Sequence, residues 1–292
     1  MIRYSIRDLE KITGIKAHTI RIWEKRYGIV SPLRTQTNIR YYSDEDLRRL
    51  MNVAILNKFG YKISNIQSMS SAELNSCVMD LTQQDIDNDH QVDNLVMAMI
   101  ELDEVRFDKI ISSAIIKQGF DYTFENLLYR FLEKIGILWQ IGAVNPVQEH
   151  FISNLIRQKL ILAVDGQQEY RNNFRTFVLF LPENEYHEIA LLYLHFMIRK
   201  EGDKVIYLGQ NVPILYLKDI FEIHNVDYLV TSVASKFQVE IIADTLTELS
   251  QLYGDKQVLI GGKYLFDSSF VLPANVKSFK NLKAFDEFLK KA

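Results

Sequence analysis

The chain has 292 residues, 48% hydrophobic and 24% charged, which excludes collagen-like, disordered and disulfide-framework classes and calls for two or three domains. A single cysteine, Cys77, leaves no internal disulfide and no Cys-rich zinc site. No run reaches the ~18 apolar residues of a membrane span, and charges recur from the first residues, so a cytoplasmic protein with neither leader nor membrane partner is expected.

The net charge of -3 is unevenly spread. Residues 1–75 carry 13 Lys+Arg against 7 Asp+Glu (+6), leaving 21 against 30 (-9) for the remainder. A small basic module on an acidic body is a common layout for a nucleic-acid reader joined to a sensing domain; clustering on a solvated face is the plainer alternative.

In chain order, Ser5-Ile6-Arg7-Asp8 has capping-box spacing and predicts a helix over about 6–12, ended by Thr13-Gly14. A second helix runs from Thr19 to Tyr27 and stops at Gly28, giving a helix-turn-helix in which Ile20 and Trp23 lie inward. Lys16, His18, Arg21, Lys25 and Arg26 then supply cations and donors toward a phosphate-lined groove. Arg34 to Tyr42 is a β-prone run turning at Asn38, which reads as a two-stranded wing, although Arg40 and Tyr42 could be ordinary strand residues. Ser43-Asp44-Glu45-Asp46 caps a third helix that reaches Gly60.

Tyr4-Ser5-Ile6, Thr13-Gly14, Thr19-Ile20-Arg21, Trp23-Glu24, Arg34, Arg40-Tyr41-Tyr42 and Asp46-Leu47 together closely resemble the DNA-binding domain of the MerR family of bacterial transcription regulators, over residues 2 to about 68. Asn38 stands where that family usually has Gly. The resemblance implies a winged helix-turn-helix that reads double-stranded promoter DNA, with Arg21 and its helix in the major groove and Arg34, Arg40 and Tyr42 reaching the flanking backbone. The implied reader set is Lys16, His18, Thr19, Arg21, Trp23, Lys25, Arg34, Arg40 and Tyr42.

The chain then turns polar, and residues 83–90, with one apolar side chain, read as the heart of a linker assigned to 76–90. No long heptad stretch follows the wing, so assembly into a homodimer or homotetramer is expected to come from elsewhere. From Val92 to about Ala163 apolar residues recur near every 3.6 positions, Gly119 closes one helix and Pro146 opens another, which predicts a four-helix bundle. Trp139, near one helix end, and Glu149-His150, near the start of the next, can share a pocket wall; a core Trp and a satisfied polar His are the alternatives.

The last third alternates strand and helix: strand 176–181, helix 188–200, strand 205–208, helix 214–224, strand 227–233, helix 238–252 and strand 257–260. That pattern predicts a doubly wound parallel sheet with ligand-binding loops at the carboxyl ends of its strands. Those loops hold Glu185-Tyr186-His187-Glu188-Ile189-Ala190, then 41 residues, Ser232-Val233-Ala234, then 26 residues, and Gly261-Gly262.

The spacing resembles the cobalamin-binding domain shared with methionine synthase and the cobalamin mutases, and Trp139 with Glu149-His150 is similar to the helical cap of CarH-like light-responsive repressors. The resemblance implies a multidomain α and α/β chain: residues 1–75 as reader, 91–166 as helical-bundle cap and 167–292 as Rossmann-like base. The ligand would be a corrinoid, adenosylcobalamin or methylcobalamin, with His187 as lower axial cobalt ligand and Glu185 fixing its tautomer. Trp139, Glu149, His150, Ser232, Gly261 and Gly262 would line the rest. Ala190 replaces Gly, Ala234 replaces Leu, and Gln140 follows Trp139 where light-responsive relatives can present His. The expected function is a non-enzymatic transcription regulator, a repressor, controlled by that corrinoid. A cobalamin methyltransferase or mutase needs a substrate barrel for which the chain has no room; the same regulator with a degenerate pocket, acting through protein contacts, is the alternative.

Overall fold

Ser5 and Asp8 form the predicted capping box at the start of α1 (Ile6–Thr13), and Gly14 closes it at φ 73°, a left-handed conformation that glycine enters without strain. The computed structural model describes residues 4–35, 37–84, 88–140, 142–167, 170–232, 239–262 and 271–291, which divide into two compact units, Met1–Leu155 and Ile156–Ala292.

In the first unit α2 (Ala17–Tyr27) ends on left-handed Gly28, and β1 (Leu33–Arg34) pairs antiparallel with β2 (Arg40–Tyr41) around Asn38 at φ 63°. Asn is among the few side chains that tolerate this turn. A second capping box, Ser43 with Asp46, starts α3 (Asp44–Lys58). Tyr4 bridges Tyr42 through two backbone hydrogen bonds, which tie the start of the described chain to the wing.

Where the sequence suggested a linker, the chain is largely helical. After the short α4 (Ile63–Ile66) come α5 (Ser71–Gln84) and α6 (Asn88–Glu101); residues 85–87 lie outside the described residues. Two of the polar side chains that pointed to a linker have partners. Asp89 pairs with Arg130 (2.8 Å), and His90 packs on Phe59 with ring centroids 4.5 Å apart. The bundle follows: α6, α7 (Glu104–Gln118), a third helix built from α8 (Phe120–Thr123), a π-helical turn over Phe124–Leu128 and α9 (Tyr129–Gln140), and α10 (Pro146–Asp165).

In the second unit β3 (Thr176–Pro182), α11 (Ile189–Lys200), β4 (Lys204–Val212), α12 (Lys218–Ile223), β5 (Tyr228–Ser232), α13 (Val239–Leu252) and β6 (Gln257–Gly261) follow the expected alternation. A fifth strand, β7 (Val276–Phe279), and α14 (Leu282–Lys291) were not expected. The sheet is parallel throughout, in the order β4-β3-β5-β6-β7. Every residue of β3 is buried, as a central strand covered on both faces requires. Because the chain leaves β3 outward to β4 and returns across it to β5, the order reverses between β3 and β5. The crevice outside their carboxyl ends is where such sheets hold ligands.

Candidate functional site

On α2, Ile20 and Trp23 are buried while His18, Arg21, Ile22, Lys25 and Arg26 are exposed. Helical spacing therefore gathers four basic side chains on one open face. Lys16 precedes the helix, exposed and paired with Glu10 at 3.1 Å, and Thr19 is half-buried. Trp23 thus belongs to the reader's core.

Arg34 and Arg40 are exposed on the wing. Arg34 donates to Asn38 across the turn (2.5 Å), and Arg40 Nε donates to Glu24 Oε1 of α2 (3.2 Å). Tyr42 is a correction to the expected reader set. Its side chain is 0% exposed and its hydroxyl donates to Glu24 Oε2 (3.2 Å). Burial and the Glu24 carboxylate push its phenol up to about 12, so it remains a donor. Tyr42 braces the wing against α2. Glu24 received no such role from the sequence, because its partners lie 16 and 18 residues away.

In the bundle Trp139 is 47% exposed in the last turn of α9, so the core reading of this residue does not hold. Gly142, at φ 68°, ends that turn by donating to the Trp139 carbonyl. In the first turns of α10, Glu149 pairs with His150 Nδ1 (3.0 Å) and accepts from Ser153 (2.6 Å). His150 points outward.

At the crevice of the sheet, the loop after β3 places Glu185 and His187 together. The buried Glu185 Oε1 lies 2.7 Å from both the backbone nitrogen and Nδ1 of His187. Burial alone would push the Glu185 carboxyl up, but the hydrogen bonds from His187 outweigh it and hold it below the usual range. The Nδ1–H donated to this carboxylate sets the tautomer in which Nε2 is the basic nitrogen, and the side chain is 66% exposed. One imidazole is a suitable donor set for a metal that brings its own equatorial ligands.

Ser232 ends β5, across the crevice. It is 4% exposed, and its Oγ has no hydrogen-bond partner among the described residues. A buried hydroxyl left in this state is unusual and suits a ligand that supplies the partner. Gly261 ends β6 with no side chain to narrow the mouth, and Gly262 follows at φ 148°. Val233 and Ala234, the rest of the Ser232 element, lie outside the described residues. These features fit a corrinoid.

Comparison with known proteins agrees. Residues 4–73 match the MerR HTH family regulatory proteins, and residues 91–163 match the B12 binding domain. The chain joins a MerR-type DNA-binding domain to a B12-binding domain. It is 26% identical over 254 residues to the HTH-type transcriptional repressor CarH of Myxococcus xanthus, spanning 85% of this chain and 84% of that protein. To the repressor CarA of the same organism it is 25% identical over 259 residues, 88% and 85% of the two chains. A corrinoid protein for monomethylamine from Methanosarcina barkeri superposes with a TM-score of 0.54 over 75% of this chain and all of its own, at 13% identity, and shows the shared fold. Among the described residues no helix is long and apolar enough to cross a membrane.

Proposed function

We propose that this MerR-type, B12-domain chain is a transcription repressor of the cytoplasm, not an enzyme, whose assembly or DNA affinity is set by a bound cobalamin. The observation that carries the reading is the Glu185–His187 pair at the reversal of strand order, in the same chain as the basic face of α2. His187 would hold the cobalt through its imidazole. Ser232, Gly261 and Gly262 of the second unit would receive the nucleotide tail. When bound, an alkylated corrinoid supplies a labile metal–carbon bond. The protein's part is to orient the ring, exclude water from it and transmit its presence to the reader. Arg21 would read base edges, with Arg34 and Arg40 on the backbone. Two half-sites are the rule for such readers, so the C-terminal body would pair the chains as a homodimer or homotetramer.

The test incubates the full chain with adenosylcobalamin or methylcobalamin, desalts it, and records its visible absorbance. Retardation of duplexes selected from a random pool, at matched salt with and without the corrinoid, and light scattering complete it. Retained absorbance and a corrinoid-dependent change in retardation or mass are expected, as is loss of retardation in Arg21→Ala. Absence of retained corrinoid would overturn the reading and leave a regulator acting through protein contacts alone.

A further inference from the structure

The turn that carries His187 is held from both sides, and one holder is a residue with no assigned role. At its front, Asn211 of β4 donates its backbone N–H to the Glu185 carbonyl (3.2 Å), while its side-chain oxygen accepts from the backbone of Asn184 (2.9 Å). At its back stands Glu188, 5% exposed and in the N-cap position of α11. An acidic residue there normally turns its carboxylate onto the open N–H groups of its own helix. Glu188 makes no such bond. Its Oε1 accepts instead from Arg157 Nε of α10, and its Oε2 accepts from the Tyr207 hydroxyl of β4 (3.0 Å). A buried carboxylate is stable only when paired and hydrogen-bonded, and here both oxygens are engaged.

We infer that Glu188, held by Arg157 and Tyr207, is the positioning residue that fixes where His187 stands relative to a bound corrinoid. The inference rests on the proposed cobalamin binding. Glu188 follows His187 directly, so a swing of its backbone moves the imidazole, and the clamp removes that swing. Pre-set ligands bind metal more tightly because less freedom is lost on binding. Arg157 and Tyr207 act on cobalt only through Glu188.

Cobinamide, which lacks the nucleotide base, is the probe, because the protein must then supply any axial nitrogen. The full chain is loaded and reduced to the Co(II) state, and its electron paramagnetic resonance is recorded for the threefold splitting from one axial nitrogen. Wild type should show the splitting, and His187→Ala should lose it. Glu188→Gln and Tyr207→Phe should bind cobinamide roughly tenfold more weakly and lose most of the splitting at saturation. Arg157→Met should resemble them, and Arg157→Lys should recover much of the signal. Arg157 is half-exposed, so its variants keep the test open if the buried ones fail to fold. Wild-type splitting and affinity in Glu188→Gln or in Arg157→Met would overturn the inference while leaving His187 as ligand. No splitting in wild type would remove His187 as ligand and sink the inference, whereas the cobalamin reading itself falls only if the absorbance test finds no retained corrinoid.

Discussion

His195, on α11, gives the second unit a defined response to acid. Its ring stacks on that of Tyr207, with centroids 5.1 Å apart and planes at 13°, and burial together with nearby Arg199 pushes its pKa down to about 4. An unfolded chain would titrate the same imidazole near 6.5. Between those values the unfolded chain binds a proton that the folded one refuses. The contribution is therefore fully present above about pH 6.5 and is lost as pH falls toward 4. The shift sets a ceiling of about 3 kcal/mol, and partial exposure of the ring lowers the expectation to about 2 kcal/mol. His195→Phe keeps the stack and removes the titration. Urea unfolding of both proteins at pH 7.5 and 4.5, followed by circular dichroism, measures the effect as a difference of differences in which the other titrating groups cancel. Tryptophan fluorescence does not serve, since both tryptophans, Trp23 and Trp139, lie in the first unit. If the variant lost as much stability on acidification as the wild type, the assigned state of His195 would be wrong.

Asp93, only 7% exposed, accepts from Lys58 Nζ and Lys134 Nζ at 2.5 Å each and ties the reader helix α3 to the bundle. Asp93→Asn should cost about 1–3 kcal/mol in first-unit unfolding read by tryptophan fluorescence; a loss below about 0.5 kcal/mol would show that water serves the two lysines equally well. Glu24→Gln makes the reader more positive, so pure electrostatics predicts tighter DNA binding, whereas loss of the Arg40 and Tyr42 brace predicts weaker binding to the selected site, by roughly tenfold. Tighter binding to all sequences in a retardation assay would reduce Glu24 to its charge.

The reader was legible because its signals are local: a serine and an aspartate three apart, glycines at two helix ends, an asparagine at the wing. The environment of Tyr42 was not. Its burial depends on a bridge to Tyr4 and a hydrogen bond to Glu24, and neither leaves a mark in the strand itself. The burial of Asp93 and Asn94 on α6 was hidden for the same reason. Asp93 and Asn94 look solvated in sequence, yet Lys58, Lys134 and Arg106 reach them from 35, 41 and 12 residues away. In the second unit alternating composition announced a parallel sheet, but strand order depends on the crossovers, and β7 is four residues with only its two ends buried. The Glu185–His187 pair was readable at a spacing of two, whereas Arg157 and Tyr207 lie 31 and 19 residues from Glu188.

Two positions on either side of the crevice should respond in opposite ways, and together they test whether the pocket is functional or vestigial. Ala190, which stands where related domains have glycine, is the second residue of α11 and is exposed, so its methyl does not fill the interior. Ala190→Gly should lower helix stability by at most about 1 kcal/mol. It should change corrinoid affinity by less than about threefold, roughly the worth of one methyl group. Ser232 is the reverse case. Its buried hydroxyl has no partner among the described residues, so Ser232→Ala removes an unsatisfied group and should leave the ligand-free protein as stable as wild type or slightly more so. If a corrinoid supplies the missing partner, the same change should weaken binding by about 1–2 kcal/mol, read as a five- to thirtyfold rise in Kd by absorbance titration. A vestigial pocket predicts the stability result without the affinity result. An obstructed one predicts that Ala190→Gly tightens binding more than tenfold, and that outcome would show that the methyl lies in the ligand's path.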